Sequence, residues 1–138
     1  MKVRVYYEDT DAGGIVYHTN YIKYCERARS EHFFSRGMMP GEENRYGFVV
    51  RKMTADFLGC ARLGDMLEVK TVLIDTGRST LTLLQEIYKD QKKLFSAEIL
   101  LVYVEEGKPR RIPRLMLDIF KQFNCRADDP TILQSLDT

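Results

Sequence analysis

The sequence has few of the residues on which several common catalytic and structural sites depend. It contains 2 histidines and 3 cysteines in 138 residues. The cysteines, Cys25, Cys60 and Cys125, are odd in number and far apart, which argues against a disulfide framework and against a zinc site with paired close spacings. This use of cysteine is typical of a reducing compartment, so the sequence predicts a cytoplasmic location.

The chain also has no excess of charge and no long hydrophobic run. Its 21 basic and 20 acidic side chains leave a net charge of +1, so there is no overall basic field of the kind that attracts nucleic acid. The longest apolar run, residues 99–104, is far shorter than the roughly 20 residues of a membrane span. The first residues have the pattern of a strand and not of a signal peptide. We expect neither a nucleic-acid partner nor a membrane span.

The motifs of several enzyme classes are missing. There is no G-x-S-x-G elbow for a nucleophilic serine, no Walker loop and no G-x-G-x-x-G turn. A Ser-His-Asp triad has little to draw on, because the chain contains only 2 histidines. The sequence therefore gives no support to triad chemistry or to a nucleotide-binding loop.

A helical pattern follows the first short strand, residues 2–8. Thr19 or Asn20 offers an N-cap oxygen for a helix that runs to about Arg36. Gly37 and then Pro40, at the end of the pattern, predict its stop. Its apolar stripe contains Tyr21, Ile22, Cys25, Ala28, His32 and Phe33. Because this stripe buries a thiol, we expect Cys25 to be inert.

After this helix the hydrophobic period changes from 3.6 to 2, which indicates strands. Short turns join them, so the sheet is predicted to be antiparallel. The strand-like segments are residues 48–57, 67–74, 81–87 and 94–104. Pro113 then begins a terminal helix to about residue 123. We predict an α+β domain, residues 1–124, with one long helix, about five antiparallel strands and a C-terminal helix, followed by a polar tail, residues 125–138.

The loop before the long helix has the residues for acyl-transfer chemistry. In EDTDAGGIVYHTNY, residues 8–21, Asp11 lies in a glycine-containing loop that leads into the start of a helix. The backbone N–H groups there carry partial positive charge and can donate to an oxyanion. A carboxylate beside such donors can act as a general base or as a nucleophile. The same pattern also fits a turn or N-cap aspartate, whereas a calcium loop fails because Asn20 replaces its terminal glutamate.

A longer motif around this loop resembles a known family. The run YYEDTDAGGIVYHTNYIKYCERAR, residues 6–29, resembles the signature of hotdog-fold acyl-CoA thioesterases. It is most similar to the bacterial YbgC-type branch, which is associated with the Tol–Pal system and related to 4-hydroxybenzoyl-CoA thioesterase. The stretches FVVRKMTADF and ARLGDMLEVKT extend the resemblance to about residue 123. The resemblance implies a hotdog fold, in which a sheet wraps the long helix, and an acyl-CoA thioester hydrolase of lipid metabolism.

The resemblance also assigns catalytic roles. The catalytic aspartate of the family falls on Asp11, and its carbonyl-polarising backbone N–H falls at His18. The His18 and Tyr7 side chains occupy positions that this branch associates with the site.

Substrate binding is implied for loop residues and for one distant arginine. The loop residues are Gly14, Val16 and Tyr17, and Arg78 is chosen for the phosphates of coenzyme A among a set of basic residues that also contains Arg62, Lys108, Arg110, Arg111 and Arg114. No metal and no redox cofactor is implied.

The same resemblance suggests partners and leaves alternatives open. The substrate is expected to be an acyl-CoA, or the thioester of an acyl carrier protein, and the enzyme a homodimer or homotetramer. The basic stretch at residues 108–114 before an amphipathic helix also fits peripheral contact with an anionic membrane. A hotdog dehydratase or hydratase needs a His and acid pair on the helix, which is missing here. A binding scaffold for acyl-CoA or acyl carrier protein in envelope lipid metabolism, with little turnover, remains the alternative.

Overall fold

A curled antiparallel sheet packs against one long helix in a computed structural model, which describes residues 1–36 and 46–124. The predicted helix stop at Gly37 and Pro40 and the predicted tail lie outside these described residues. The elements, in chain order, are β1 (Lys2–Arg4), α1 (His18–Phe34), β2 (Tyr46–Phe57), β3 (Met66–Thr76), β4 (Thr80–Lys89), β5 (Lys92–Glu105), β6 (Lys108–Pro109) and α2 (Arg114–Asn124).

The strand order in the sheet is β1-β3-β4-β5-β2, with the short β6 paired to β5. Every pairing is antiparallel. The hairpins β3–β4 and β4–β5 follow directly from the short turns in the sequence, whereas β2 crosses over to pair with β5. This arrangement confirms the predicted α+β class and the antiparallel sheet. It leaves β1 and β2 at the edges of the sheet.

The core lies between α1 and the sheet, where the helix contacts β3 and β4. The alternation predicted for β3 and β4 is confirmed over residues 67–73 and 81–87, although Val72 and Glu86 on the other face are buried too. The alternating buried positions are Leu67, Val69, Thr71 and Leu73 in β3, and Leu81, Leu83, Gln85 and Ile87 in β4. The helix contributes Tyr21, Cys25, Ala28 and Phe33 as predicted, together with Tyr24, which the stripe did not include. Burial raises the pKa of the Cys25 thiol to about 12, which agrees with an inert cysteine.

Two predicted element boundaries are wrong. The helix begins at His18, so Thr19 and Asn20 lie inside its first turn and neither is the N-cap residue. The reason is that the Asn20 amide donates a hydrogen bond backwards to the Asp9 carbonyl, at 2.8 Å, and does not cap its own helix. The first strand ends at Arg4 and not near residue 8, because a 3-10 turn occupies Tyr7–Asp9.

Helix α2 closes one end of the core. Its buried residues are Met116, Ile119 and Phe120. The Phe120 ring lies 5.3 Å from the ring of Phe33 and 5.0 Å from that of Phe48, so α2 packs on both α1 and β2. Within residues 1–36 and 46–124, no helix has the length and apolar composition needed to cross a membrane.

The packing predicts a clear difference between two leucines. Leu83 is 0% exposed in the core, and Leu115 on α2 is 65% exposed. We expect Leu83→Ala to lower the free energy of unfolding by about 2–5 kcal/mol, because it leaves a cavity against α1. Leu115→Ala is the matched control and should change that free energy by no more than about 0.5 kcal/mol. Urea denaturation followed by circular dichroism measures both, and equal effects would contradict this packing.

Candidate active site

The loop between β1 and α1 folds into a tight turn around Asp11. Thr10 and Val16 pair across the base of the loop. Inside it, the Asp11 N–H donates to the Ile15 carbonyl at 2.9 Å, and the Gly14 N–H donates to the Asp11 carbonyl at 3.0 Å. Gly14 has a φ of 79°, a left-handed conformation that favours glycine. The sequence DAGG therefore forms this turn without strain and exposes Asp11 at its surface.

The carboxylate of Asp11 is held on one side only. Its Oδ1 accepts a hydrogen bond from the Gly13 N–H at 2.8 Å, and Oδ2 has no hydrogen-bond partner in the described part of the chain. A Cβ on residue 13 would lie only 3.2 Å from Oδ1. Glycine at this position thus allows the backbone to hold the carboxylate closely while one oxygen stays available for chemistry.

The first turn of α1, to which this loop leads, presents backbone donors. The N–H of Val16 donates to the Ala61 carbonyl, and that of Tyr17 donates to the Asp9 carbonyl, both at 2.9 Å. The next two N–H groups, of His18 and Thr19, have no acceptor within residues 1–36 and 46–124. Unpaired N–H groups at a helix start carry partial positive charge and can bind an oxyanion. A carboxylate and oxyanion donors therefore occur together in one loop.

Aromatic side chains surround the start of the helix. The exposed His18 ring lies 4.4 Å from the Tyr17 ring and 6.0 Å, edge-on, from the Phe57 ring of β2. Tyr7, from the 3-10 turn, is 80% exposed. The predicted site residues Tyr7, Asp11, Gly14, Tyr17 and His18 thus lie in the 3-10 turn, the loop and the helix start that follow one another along the chain.

Two of the predicted site residues do not join this group within one chain. The Val16 side chain is 4% exposed and packs in the core. The loop pairs with Arg62, just before the start of β3. Arg78 lies in the turn between β3 and β4, at the opposite end of β3. Since β3 has 11 residues at about 3.3 Å each, Arg78 is roughly 35 Å along the strand from the loop.

The segment before β3 anchors the loop, and the sequence pattern did not single it out. The Tyr21 hydroxyl accepts a hydrogen bond from the Ala61 N–H at 2.9 Å. Burial raises the pKa of Tyr21, and the bond from Ala61 acts in the opposite direction. Tyr21 was placed on the buried stripe by its apolar ring, and the stripe gives no information about its hydroxyl. The buried acid Asp9 was missed for a similar reason, because the motif points to Asp11.

A short turn follows Ala61 and completes the anchor. The Asp65 carboxylate accepts from the Arg62 N–H at 2.8 Å and lies 3.1 Å from the Lys89 ammonium. The Asp65 carbonyl accepts from the Val5 N–H at 2.9 Å. The turn therefore ties the strand that enters the loop to the end of β4.

The sequence matches a known family along most of its length. The sequence profile described as the Thioesterase-like superfamily matches residues 5–123. The chain belongs to this superfamily. It is 44% identical over 131 residues to the acyl-CoA thioesterase YbgC of Helicobacter pylori strain 26695, covering 86% of this chain and 97% of the relative. It is 45% identical over 127 residues to the acyl-CoA thioester hydrolase YbgC of Escherichia coli O6:H1, covering 87% and 93%.

Solved structures confirm the predicted hotdog fold. A probable thioesterase from Bartonella henselae is 33% identical, with a TM-score of 0.75 over 82% of this chain and 97% of that one. A thioesterase from Thermus thermophilus, solved with coenzyme A and zinc, is 28% identical, with a TM-score of 0.75 over 87% and 94%. In the described part of this chain, no group of three or more His, Cys, Asp or Glu side chains is arranged to hold a metal ion.

The Asp65 anchor predicts a pH dependence of stability. Burial acts to raise the pKa of Asp65, but the hydrogen bond from Arg62 and the Lys89 ammonium outweigh it, so the pKa lies below its usual value. A depressed pKa in the folded state stabilises the fold above the unfolded value of about 4, and this stability is lost as pH falls through the folded pKa.

We expect Asp65→Asn to be less stable than wild type at neutral pH and to lose less stability between about pH 7 and pH 3. Asp75→Asn is the matched control, because Asp75 is exposed and its carboxylate has no hydrogen bond or ion pair within the described residues. Unfolding by urea at each pH measures the effect. An acid sensitivity of Asp65→Asn equal to that of wild type would contradict the assignment.

Proposed function

We propose that this chain hydrolyses acyl-coenzyme A thioesters, with Asp11 as the catalytic carboxylate. The observation that carries the proposal is the arrangement of the loop: the Asp11 carboxylate keeps one oxygen without a hydrogen bond among the described residues, and the same loop leads directly into the unpaired N–H groups of His18 and Thr19. The names of the YbgC relatives support the same activity. Hydrolysis of a thioester needs an activated oxygen and donors for the developing oxyanion, and this loop has both.

The reaction is written with these two groups. The thioester carbonyl oxygen accepts hydrogen bonds from the helix N–H groups, and each such donor is worth about 10²–10³ in rate in enzymes where one has been removed. In one route Asp11 acts as a general base and removes a proton from the attacking water. In the other route Asp11 attacks the thioester carbonyl itself, and water then hydrolyses the resulting anhydride. In both routes the C–S bond breaks, coenzyme A leaves as the thiol after gaining a proton, and the acid is released.

The basic residues available to the coenzyme A phosphates lie in two places. Arg62 pairs with Ile15 and belongs to the loop end of the sheet. Arg78 and the basic residues before α2 belong to the far end, so Arg78 can serve a loop only if a second subunit brings it there. Hydrolysis of the thioester of an acyl carrier protein would use the same loop, so the proposal covers this substrate as well.

We propose that a second copy of the chain docks along the exposed edge strand β2. Among residues 1–36 and 46–124, this strand pairs with β5 on one side and with no strand on the other, yet it and the residue after it expose large apolar side chains. These are Val49, Val50, Phe57 and Leu58. Exposed apolar edges favour association. Since Phe57 also contacts His18, a copy docked along β2 would cover the aromatic side of the site and exclude water from it.

This proposal predicts a change of oligomeric state. Wild type should sediment as a dimer or tetramer, and Val49→Glu should shift it towards smaller species, because a buried charge in the interface is costly. Leu115→Glu, an equally drastic change on exposed α2, is the control and should leave the mass unchanged. Sedimentation equilibrium measures all three, and a monomeric wild type would overturn the proposal.

The catalytic assignment predicts the effect of a single oxygen-to-nitrogen change. Asp11→Asn should lower kcat by about 100-fold or more while KM changes little, because the amide neither attacks nor takes a proton. Glu8→Gln is the control, since Glu8 is an exposed acid three residues earlier. Release of free thiol from short-chain, long-chain and aromatic acyl-CoAs is the assay, corrected for the cysteines of the protein.

Each outcome of this assay has a distinct meaning. Full activity of Asp11→Asn, with its fold confirmed by circular dichroism, would move the chemistry away from this loop. Binding of acyl-CoA by wild type without release of free coenzyme A would instead favour the scaffold function. Covalent acyl label retained by the quenched enzyme identifies Asp11 as a nucleophile, and its absence favours the general base.

A further inference from the structure

The two acids of the DTD motif have opposite environments. Asp11 is exposed, whereas Asp9 is 5% exposed although it lies only two residues earlier. The Asp9 carboxylate accepts a hydrogen bond from the Tyr6 N–H at 3.0 Å. Its backbone carbonyl accepts two more, from the Tyr17 N–H at 2.9 Å and from the Asn20 side-chain amide at 2.8 Å. Asp9 therefore connects the 3-10 turn, the catalytic loop and the first turn of α1.

These bonds link the two halves of the proposed site. Asp11 follows Asp9 by two residues in the loop, and the unpaired N–H of His18 follows Tyr17 directly. The Asp9 carbonyl is thus the shared acceptor that fixes the helix start relative to the loop. A shift at this carbonyl changes the distance between the carboxylate and the oxyanion donors.

Asn20 is the side chain that makes this connection. It is 7% exposed and lies in the first turn of α1, so its amide is directed back at the loop and not at solvent. Apart from Tyr17, no other residue donates to the Asp9 carbonyl in the described part of the chain. Without the amide, the loop and helix would be joined at this carbonyl by a single backbone bond.

A second side chain of α1 lies close to Asp9. Tyr24 is fully buried, and burial and then the neighbouring Asp9 raise the pKa of its hydroxyl. The contact of Asp9 with α1 therefore extends from Asn20 to Tyr24.

We propose that Asp9 and Asn20 are positioning residues for thioester hydrolysis. They touch neither the substrate nor the reacting atoms, and they act by holding Asp11 and the His18 N–H at a fixed separation. The proposal rests on the proposed function, because it needs Asp11 as the catalytic group. A misplacement of about 1 Å in such a site can lower the rate about 100-fold.

The first test replaces the Asn20 amide by an apolar group of similar size. Asn20→Leu should lower kcat by about 10-fold or more and leave KM within about threefold, because geometry is lost at the reacting groups and not in substrate binding. Thr71→Val is the matched control. It also removes a buried side-chain hydrogen bond, from the Gln85 amide, but in β3. Thr71→Val should keep kcat, even if it lowers the melting temperature as much as Asn20→Leu does.

Two further variants separate position from charge. Asp9→Asn keeps the backbone carbonyl and a side-chain oxygen for the Tyr6 N–H, so kcat should stay within about threefold of wild type. Asp9→Leu removes that oxygen and should lower kcat as Asn20→Leu does. If Asp9→Asn loses as much activity as Asp9→Leu, the charge of Asp9 is what matters and the positioning proposal is overturned.

A double mutant provides a readout that a purely structural role would not give. In the Asp11→Asn background, Asn20→Leu should lower the residual kcat by less than about threefold, since the group that it positions is already inactive. If the kcat loss of the double mutant equals the product of the losses of the two single mutants, the proposal is overturned. If Asp11→Asn is inactive while Asn20→Leu has wild-type kcat, only the positioning proposal fails. If Asp11→Asn keeps full activity, the proposed function itself fails.

Discussion

The attachment of the first turn of α1 to the segment before β3 is the constraint on which the rest of the site depends. Ala61 is completely buried, and both of its backbone groups are used: its carbonyl accepts from the Val16 N–H and its N–H donates to the Tyr21 hydroxyl. Because one residue of the segment before β3 holds both sides of the helix start, the axis of α1 and the loop before it cannot shift independently. The hydrophobic contact between helix and sheet supplies most of the stability, but it has no direction. The hydrogen bonds at Ala61 determine where the helix begins.

A second polar contact fixes the register of α1 farther along its length. Gln85 of β4 is fully buried, and its amide donates to the Cys25 carbonyl and to the Thr71 hydroxyl. Its oxygen accepts a hydrogen bond from the half-buried Arg29 guanidinium, whose pKa is lowered by burial. An apolar residue at this position would carry no desolvation cost, whereas a buried polar group is costly unless every hydrogen-bond partner is present. With the partners present, the bond from Gln85 joins α1 to β4 at the Cys25 carbonyl, away from the first turn of the helix.

The sequence predicted those features that follow from periodicity, and it missed those that depend on single hydrogen bonds. The alternation in β3 and β4 and the stripe of α1 predicted most of the core, since burial repeats along each element. The exceptions are Ile22 and His32, which are only partly buried, and Tyr24 and Val72, which are buried outside the predicted positions. The helix start was wrong because Asn20 has the composition of an N-cap, while its amide is used by the Asp9 carbonyl from outside the helix. The grouping of Tyr7, Asp11 and His18 followed from a motif that is contiguous in sequence. The distance of Arg78 could not be predicted, since it depends on the length and direction of β3 within the sheet.

The exposure of this site in a single chain connects the chemistry with assembly. Preorganised N–H groups stabilise an oxyanion strongly only where water does not compete with them, because a high dielectric weakens each interaction. The His18 ring, the Tyr17 ring and the Phe57 ring are all exposed around the helix start. The Asp11 loop is therefore formed within one chain, while its surroundings are open to water. A surface that covers Phe57 along β2 would supply the low-dielectric environment that the proposed chemistry needs, so the edge strand and the Asp11 loop have a physical reason to be adjacent.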